Sequence, residues 1–546
     1  MSQREGTPPE SSDDLFEIRA QKVDTLRELG LDPYPQSVSI DIELDELAAR
    51  FEELAEAAEP LSSGGRIVSH NVQGKLIFIN LFHGSLRGDA VFQVMARKNN
   101  MDEPSWDSLK QAERGDFLWV KGVPLMTRKG TPSIDAAEAR LTCKSLRPWP
   151  FSVRKETELK MPELDMLTHG IDIRKQQTIE DEAGEMTAEE RLETRRNKRE
   201  NLRRRSEIEF AIHRLMRDES FVNVATPAIY PTYGGAASRP FRTEVWAHGN
   251  SEQFLSISPE PFLKRLVCGG LDRVYTLARN YRNEGIDDTH NPEFTGFEVY
   301  QGHADYTDMM RLTERVYVEC ATAVHGSPKI PFTRVVDGEL VTETLDLTPP
   351  WPEVRFLDVV SELAGEDLSN SDAEQAWKVA KALGFEWPEG RVPQDDWSSA
   401  LMALLDLAEE AEPKGDAMRE LQQGLCHLKD YPAGSAPLCK RHRDDERLIE
   451  RIESHARGME LCNGYTELND GGEQRRRLEA QAKLRTAGDD EAVPMDELFV
   501  RSVELGLPPM GGLGIGFDRL VMLLCDADRV RDVIPFPMIG DATLDH

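Results

Sequence analysis

The sequence predicts a mixed α/β protein of the α+β type, with a small β-barrel near the N-terminus and a larger α/β domain whose sheet is not of the parallel, doubly wound kind. Three observations carry this. Between Gly65 and Thr142 the segments RIVSHNVQGKLIFINLF, AVFQVMAR, DFLWVKGVPLMT and SIDAAEARLT read as short strands separated by Gly, Asn and Lys turns. Several such strands within about 85 residues suggest a barrel. After Asn201 strands and helices do not alternate in βαβ order, and neither GxxxxGK[ST] nor GxGxxG opens a helix, so a parallel nucleotide-binding fold is not favoured. Finally, VYTLARNYRNE and FTGFEVY alternate with period two around the polar turn GIDDTHNPE, the pattern of an antiparallel hairpin.

The elements follow in order. MSQREGTPPESSDDLF reads as a short disordered lead-in, with no apolar stretch that could serve as a secretory signal. LFEIRAQKVDTLRELGL spaces apolar residues helically, and Gly30 supplies a stop. A second, acidic helix is expected over Leu44 to Ala58. Residues 1–60 thus form a helical extension and 61–148 the barrel. Residues 149–200 are charged, poorly periodic and linker-like, and 201–546 form the larger domain. Within it, about 326–430 is Trp-, Pro- and acid-rich with helical pieces, which marks an insertion.

Bulk properties bound the function. A chain of 546 residues with 39% hydrophobic content exceeds one ordinary core. No apolar run approaches the roughly 20 residues that a membrane helix needs. The 7 cysteines are scattered without a CxxC or CxxH cluster, so neither a disulfide framework nor a zinc site is expected, and a reducing cytosol fits. The net charge of −32 opposes bulk attraction to nucleic acid and also suits a salty habitat. Against it stands one basic run, RRNKRENLRRR from Arg195 to Arg205, either a solvated helix face or an RNA-facing patch.

Chemistry concentrates in three stretches. In the hairpin, side chains two apart share a face. Arg282 and Glu284 therefore point one way, and Phe294, Gly296, Glu298 and Tyr300 can line one face of the return strand. Arg binds a phosphate or carboxylate with a planar fork, an aromatic ring stacks on a purine and a carboxylate accepts from an amine. An ordinary amphipathic hairpin with surface ion pairs is the competing reading. In GLPPMGGLGIGFDRLVMLL, glycines 511, 512, 514 and 516 mark close approach of a ligand or another backbone. Arg519 falls in the first turn of the next helix, where the dipole disfavours a cation and a bound polyphosphate would offset that cost. In HRDDERLIERIESHARGMELCNGYTELND, Glu453 and Glu460 share a face if helical or converge across a turn. Paired carboxylates beside a phosphate site suggest Mg²⁺, and a solvated acidic face is the alternative.

Together these stretches resemble the class II lysyl-tRNA synthetases. RNEGIDDTHNPEF looks like the family's motif 2, GLGIGFDRLVMLL like motif 3, and FVNVATPAIYP, with Pro227, like the end of motif 1 at the dimer interface. GGAASRPF, SPEPFLKRLVCGG, APLCKRHRDD and NGYTELND are similar to signatures of the lysine subgroup. Gly65 to Pro150, ending KSLRPWP, resembles its OB-fold anticodon-binding barrel. The resemblance implies a catalytic domain built on an antiparallel sheet with flanking helices, a cytoplasmic homodimer, and L-lysine, ATP, Mg²⁺ and tRNA(Lys) as partners. It implies that Arg282 and Arg519 are catalytic and bind ATP together with Glu284, His290, Asn291 and Phe294, with Thr289 in the same loop. Gly235, Glu260, Glu298, Tyr300, Asn463, Tyr465 and Glu467 would bind lysine. Glu453 and Glu460 would hold Mg²⁺, and Phe78 would stack on an anticodon base.

The sequence departs from the family in places. RLETRRNKRENLRRR replaces the usual RYRxRYLDL before motif 1, TRKGTPS replaces the barrel turn TKTGELS, GLCHLKDYP stands for the QPTF strand, and about Glu339 to Arg419 matches poorly. Two other functions compete: a paralogue transferring lysine to a protein, which would lack the barrel, and a non-catalytic RNA-binding regulator, which should have lost Arg282, Arg519 or Glu460. An aspartyl or asparaginyl enzyme would carry a cation in a pocket that here is acidic.

Overall fold

The computed structural model describes residues 12–147, 163, 166, 197–236, 238–336, 338–386, 395–488 and 492–538. The expected lead-in falls mostly, and the expected linker almost entirely, outside them. The chain divides into two compact units, residues 1–186 and 187–546.

In the first unit β1 (Leu61–Gln73), β2 (Leu76–Ser85), β3 (Gly88–Arg97), β4 (Phe117–Met126) and β5 (Pro132–Cys143) close a barrel in the order β1-β2-β3-β5-β4. It is a five-stranded barrel of the OB type. Its period-two pattern is real: Ile77, Ile79 and Leu81 fill the interior at 0% exposure, while Phe78 between them is half-buried on the outer face. Helix α1 (Ser12–Glu28) ends before Gly30, whose φ of +73° suits a stop. The acidic helix expected over 44–58 is two short ones, α2 (Leu44–Ala49) and α3 (Phe51–Ala57), because Arg50 leaves the helical region between them. One helix was not anticipated, α4 (Glu103–Gln111). Asp102 caps it, and Ser105 and Ser108 accept the Ala139 and Leu141 amides at 3.0 Å each.

The second unit is built on a sheet ordered β14-β15-β16-β17-β18-β11-β10-β6. Its central strands are β10 (Arg273–Tyr281), β11 (Glu293–Gly302), β16 (Leu448–Ala456), β17 (Met459–Thr466) and β18 (Met510–Gly516), all paired antiparallel. Within this sheet only the flanking pairs, β10 with β6 (Val222–Asn223) and β14 (Glu353–Arg355) with β15 (Leu425–Pro432), are parallel among the described residues. The α5 helix (Lys198–Asp218), capped by Asn197, starts slightly ahead of the expected boundary and packs on α7 (Tyr306–His325). Phe297, Val299, Leu513 and Ile515 enter the core shared with these helices. Strand parity then sends Phe294, Gly296, Glu298 and Tyr300 to the opposite face, where the cavity lies.

The segment expected as an insertion holds the hairpin β12 (Lys329–Val336) and β13 (Glu339–Asp346). Helices α8 (Phe356–Ala364), α9 (Ala373–Ala382), α10 (Trp397–Glu410) and α11 (Asp416–Gln423) follow. It is not a loose appendage. Its apolar cluster includes Leu428, Tyr431 and Ile449 of the main sheet.

Candidate active site

The open face of the main sheet floors a cavity of about 890 Å³, within the range of small-molecule sites. Motif glycines make the room. A Cβ at Gly512 would come 1.9 Å from Glu467 Oε1, and one at Gly296 would come 2.6 Å from Asn280 Nδ2. Gly235, at φ +87°, lets the chain pass Ser258.

One half of the cavity is cationic and aromatic. β10 ends at Tyr281, so Arg282 and Glu284 lie just beyond the strand rather than on it, yet both line the cavity. The Arg282 guanidinium sits over the Phe294 ring, 5.0 Å from its centre. Its buried Nε has no partner among the described residues. Glu284 accepts from Ser238 at 2.6 Å. Between the strands, Asp287 accepts the amides of Thr289 and His290 at 2.7 and 2.8 Å. Burial would raise its carboxyl, but the Thr289 amide and the His290 ring hold it below its ordinary value. From α14 (Phe517–Cys525), Arg519 reaches His290 Nε2 at 3.0 Å and Glu460 Oε2 at 3.2 Å. Asn291 accepts the Met538 amide at 2.9 Å, and Val530 donates to the Asp288 carbonyl at 2.6 Å. The loop is thus fastened from far along the chain.

The other half is acidic and floored by buried groups. α6 (Glu260–Cys268) presents Glu260, whose Oε1 accepts from Tyr465 at 2.6 Å and from Lys264 at 2.5 Å. Glu298 accepts from Ser258 at 3.0 Å and from Tyr300 at 3.3 Å. Burial, with Glu260 nearby, pushes the Glu298 carboxyl up to about 8. Glu467 lies behind the lining at 0% exposure. It meets Lys264 as an ion pair without a well-aligned hydrogen bond. Burial and the neighbouring acids raise its carboxyl, against the pull of Lys264. Burial likewise keeps the hydroxyls of Tyr300 and Tyr465 protonated, as donors.

Between the halves, Glu453 on β16 and Glu460 on β17 face the cavity across a turn at Arg457 and Gly458. The helical alternative for this pair is not realised. Glu453 is held by Arg451, by Asn463 at 3.1 Å and by Tyr431 at 2.6 Å. Burial opposes its ionisation, but Arg451 and His455 bring it down to about 2. Among the described residues no group of three acidic, His or Cys side chains forms a metal cage. Two carboxylates are nevertheless the donor set expected for Mg²⁺ shared with phosphates, since that ion keeps waters and substrate oxygens rather than a protein cage.

Several participants escaped the sequence reading. Asn280 is 2% exposed, lines the cavity and leaves Oδ1 without a partner among the described residues. Its parity with Arg282 was the available signal. Asp406 of α10 also lines the cavity, from a segment with no motif. Nearby, burial pushes Glu409 up to about 7, with His455 opposing the shift and Glu453 adding to it. Arg205, the last member of the basic run, is neither a solvated nor an RNA-facing group. It pairs with buried Asp518 at 2.6 Å, donates to Thr295 at 3.1 Å and lies over Phe517. Arg203 and Arg204 pair with Glu200. Phe78 belongs to the other unit.

The family model described as tRNA synthetases class II (D, K and N) matches residues 186–540. A lysine–tRNA ligase of Clostridium perfringens (strain SM101 / Type A) is 35% identical over 545 residues, covering 98% of this chain and 99% of that protein. Others from Nostoc punctiforme and Thermotoga maritima are 36% and 33% identical, over 97% and 96% of this chain and 88% and 95% of theirs. Likeness that runs through barrel and sheet alike, on top of an acidic pocket facing an arginine–aromatic one, places the chain among the lysine–tRNA ligases of the class II tRNA synthetases.

Proposed function

We propose that this chain activates L-lysine with ATP, releasing pyrophosphate, and transfers it from the lysyl-adenylate to the 3′ end of tRNA(Lys). The observation that carries this is the pairing of opposite chemistries in one cavity. Glu260 and Glu298 sit at its floor with Glu467 behind them, and Arg282 over Phe294, with Arg519, sits beside them. An ammonium on an apolar stem suits the first set, and a purine triphosphate the second.

The lysine carboxylate attacks the α-phosphorus of ATP in line, and no side chain acts as nucleophile. Arg282, over Phe294, neutralises the carboxylate and the α-phosphate as they meet. Phe294 stacks on the adenine, with Glu284, His290 and Asn291 around the base and phosphates. Arg519 covers the outer side and takes charge developing on the leaving pyrophosphate. Glu260, Glu298, Tyr300 and Tyr465 receive the side-chain ammonium, with Asn463 and Gly235 shaping the pocket and Glu467 beneath it. Bound Mg²⁺ would supply charge neutralisation on the polyphosphate, and Glu453 and Glu460 would hold it. Catalysis is then positioning plus preorganised charge. In the second step a ribose hydroxyl of tRNA attacks the adenylate carbonyl, the acyl–phosphate bond breaks and AMP leaves, and Phe78 on the barrel's outer face stacks on an anticodon base. A cytoplasmic location and a homodimer complete the proposal. The exposed Val222 and Ile229 lie on the segment that resembles motif 1. No described helix is long and apolar enough to cross a membrane.

The test is amino-acid-dependent pyrophosphate exchange into ATP, with Mg²⁺ and without tRNA, for each standard amino acid. Exchange with lysine alone, lost in Glu298→Gln, is expected. Folded protein that exchanges with no amino acid would overturn the enzyme reading.

A further inference from the structure

The acidic pocket already contains a lysine of its own. Lys264 lies one turn after Glu260 on α6 and is 1% exposed. Its ammonium contacts Glu260 Oε1 at 2.5 Å and also meets Glu467. The rings of Tyr465, Phe499 and Tyr300 surround it, 5.4, 5.8 and 5.9 Å from their centres. A Glu–Lys pair at this spacing is ordinarily a solvated surface device. Here both members are buried and the third partner is another buried acid. Lys264 does not line the cavity, whereas Glu260 does, so Lys264 approaches Glu260 from behind.

That placement has two consequences. Glu260 and Glu467 share one counter-ion. Without it, two adjoining buried acids would face each other with no cation between them. Moreover, Lys264 and Tyr465 both donate to Oε1, which leaves Oε2 as the uncommitted oxygen of Glu260 among the described residues.

We propose that Lys264 is a specificity-determining positioning residue of the amino-acid pocket: clamped between Glu260 and Glu467 as their shared counter-charge, it holds Glu260 fixed to receive one primary ammonium at the reach of lysine, and closes the acidic space beneath. It acts through Glu260 and touches no substrate. The inference rests on the lysine reading above.

The test uses full-length protein and exchange kinetics at varied lysine and varied ATP. Lys264→Met preserves volume and removes the charge. Its lysine KM rises on the order of 10- to 100-fold while the ATP KM stays within about threefold, as expected when the acid that receives one substrate loses its own buried partner. In Lys264→Ala, added n-propylammonium restores lysine-dependent exchange and 1-propanol does not, a response that simple loss of packing would not give. Lys264→Gln, which can donate to both acids without a charge, is the second variant should Met not fold. A folded Met or Gln variant with a lysine KM within about twofold of wild type overturns the proposal. So does failure of all three variants to show a cooperative thermal transition, which would assign Lys264 to folding alone. Wild-type protein that activates no lysine overturns the functional reading itself, whatever Lys264 does.

Discussion

At Glu298 burial favours the uncharged acid so strongly that its carboxyl titrates near 8 rather than 4.5. Across that interval the folded chain keeps a proton that the unfolded chain has lost. Its contribution to stability therefore falls as pH rises from about 4.5 to about 8. In the proposed pocket a bound ammonium would reverse the preference, because it favours the ionised form, so lysine binding there would release a proton and tighten as pH rises from 6 to 8. We expect thermal stability of wild type relative to Glu298→Gln to decline over that range, and the lysine KM of wild type to fall. Melting curves and exchange kinetics in matched buffers check both, and flat profiles would sink the assignment. The residues around Glu298 differ in how far the sequence gives them away. Phe294, Glu298 and Tyr300 announce themselves by parity and by resemblance. Asn280 shares the parity of Arg282, but a neutral amide carries no chemical flag. Lys264 stands in plain view at i+4 from Glu260, and only three-dimensional burial separates it from countless surface pairs.

Between elements, the fold depends on a few buried charges that tie segments together. In the barrel unit, Lys144 at the end of β5 is buried against Asp116 at 2.8 Å and Glu113 at 2.6 Å. Glu113 in turn receives Lys22 and Arg19 of α1. Burial opposes ionisation of Glu113, yet the two lysines bring it down to about 2, whereas burial leaves Asp116 raised. Lys144→Met should therefore strand a buried acid and cost the barrel unit about 3–5 kcal/mol, with Asp116→Asn in the same chain recovering part. Calorimetry of the full chain reads this as a lowered transition, and an unmoved one would refute it. Strands were the legible elements here, since period two survives in β2 and β5 without any help from neighbours. Short helices were not. The nine residues of α4 are fixed by the Asp102 cap and by two serines docked on β5, tertiary contacts that leave no periodic trace. Arg50 divides α2 from α3 through its backbone alone, at a residue type that normally continues a helix.

For the whole molecule the dominant number is the net charge of −32. Self-repulsion of that size opposes compactness, and salt weakens it, since the screening length shortens from about 10 Å at 0.1 M to about 3 Å at 1 M. Melting temperature should rise with KCl over that range, and a flat or falling curve would show that repulsion does not limit stability. Affinity for tRNA should move the other way, as released counter-ions lose their advantage. The fastening of the β10–β11 loop by residues up to 247 positions later bears on synthesis. A chain emerging from the ribosome completes Arg282 and Phe294 well before Val530 and Met538 arrive to hold the loop around them. Until then the cationic half of the cavity lacks its last clasp, so a chain cut short just before Val530 would carry every strand of its main sheet and still leave that loop unfastened.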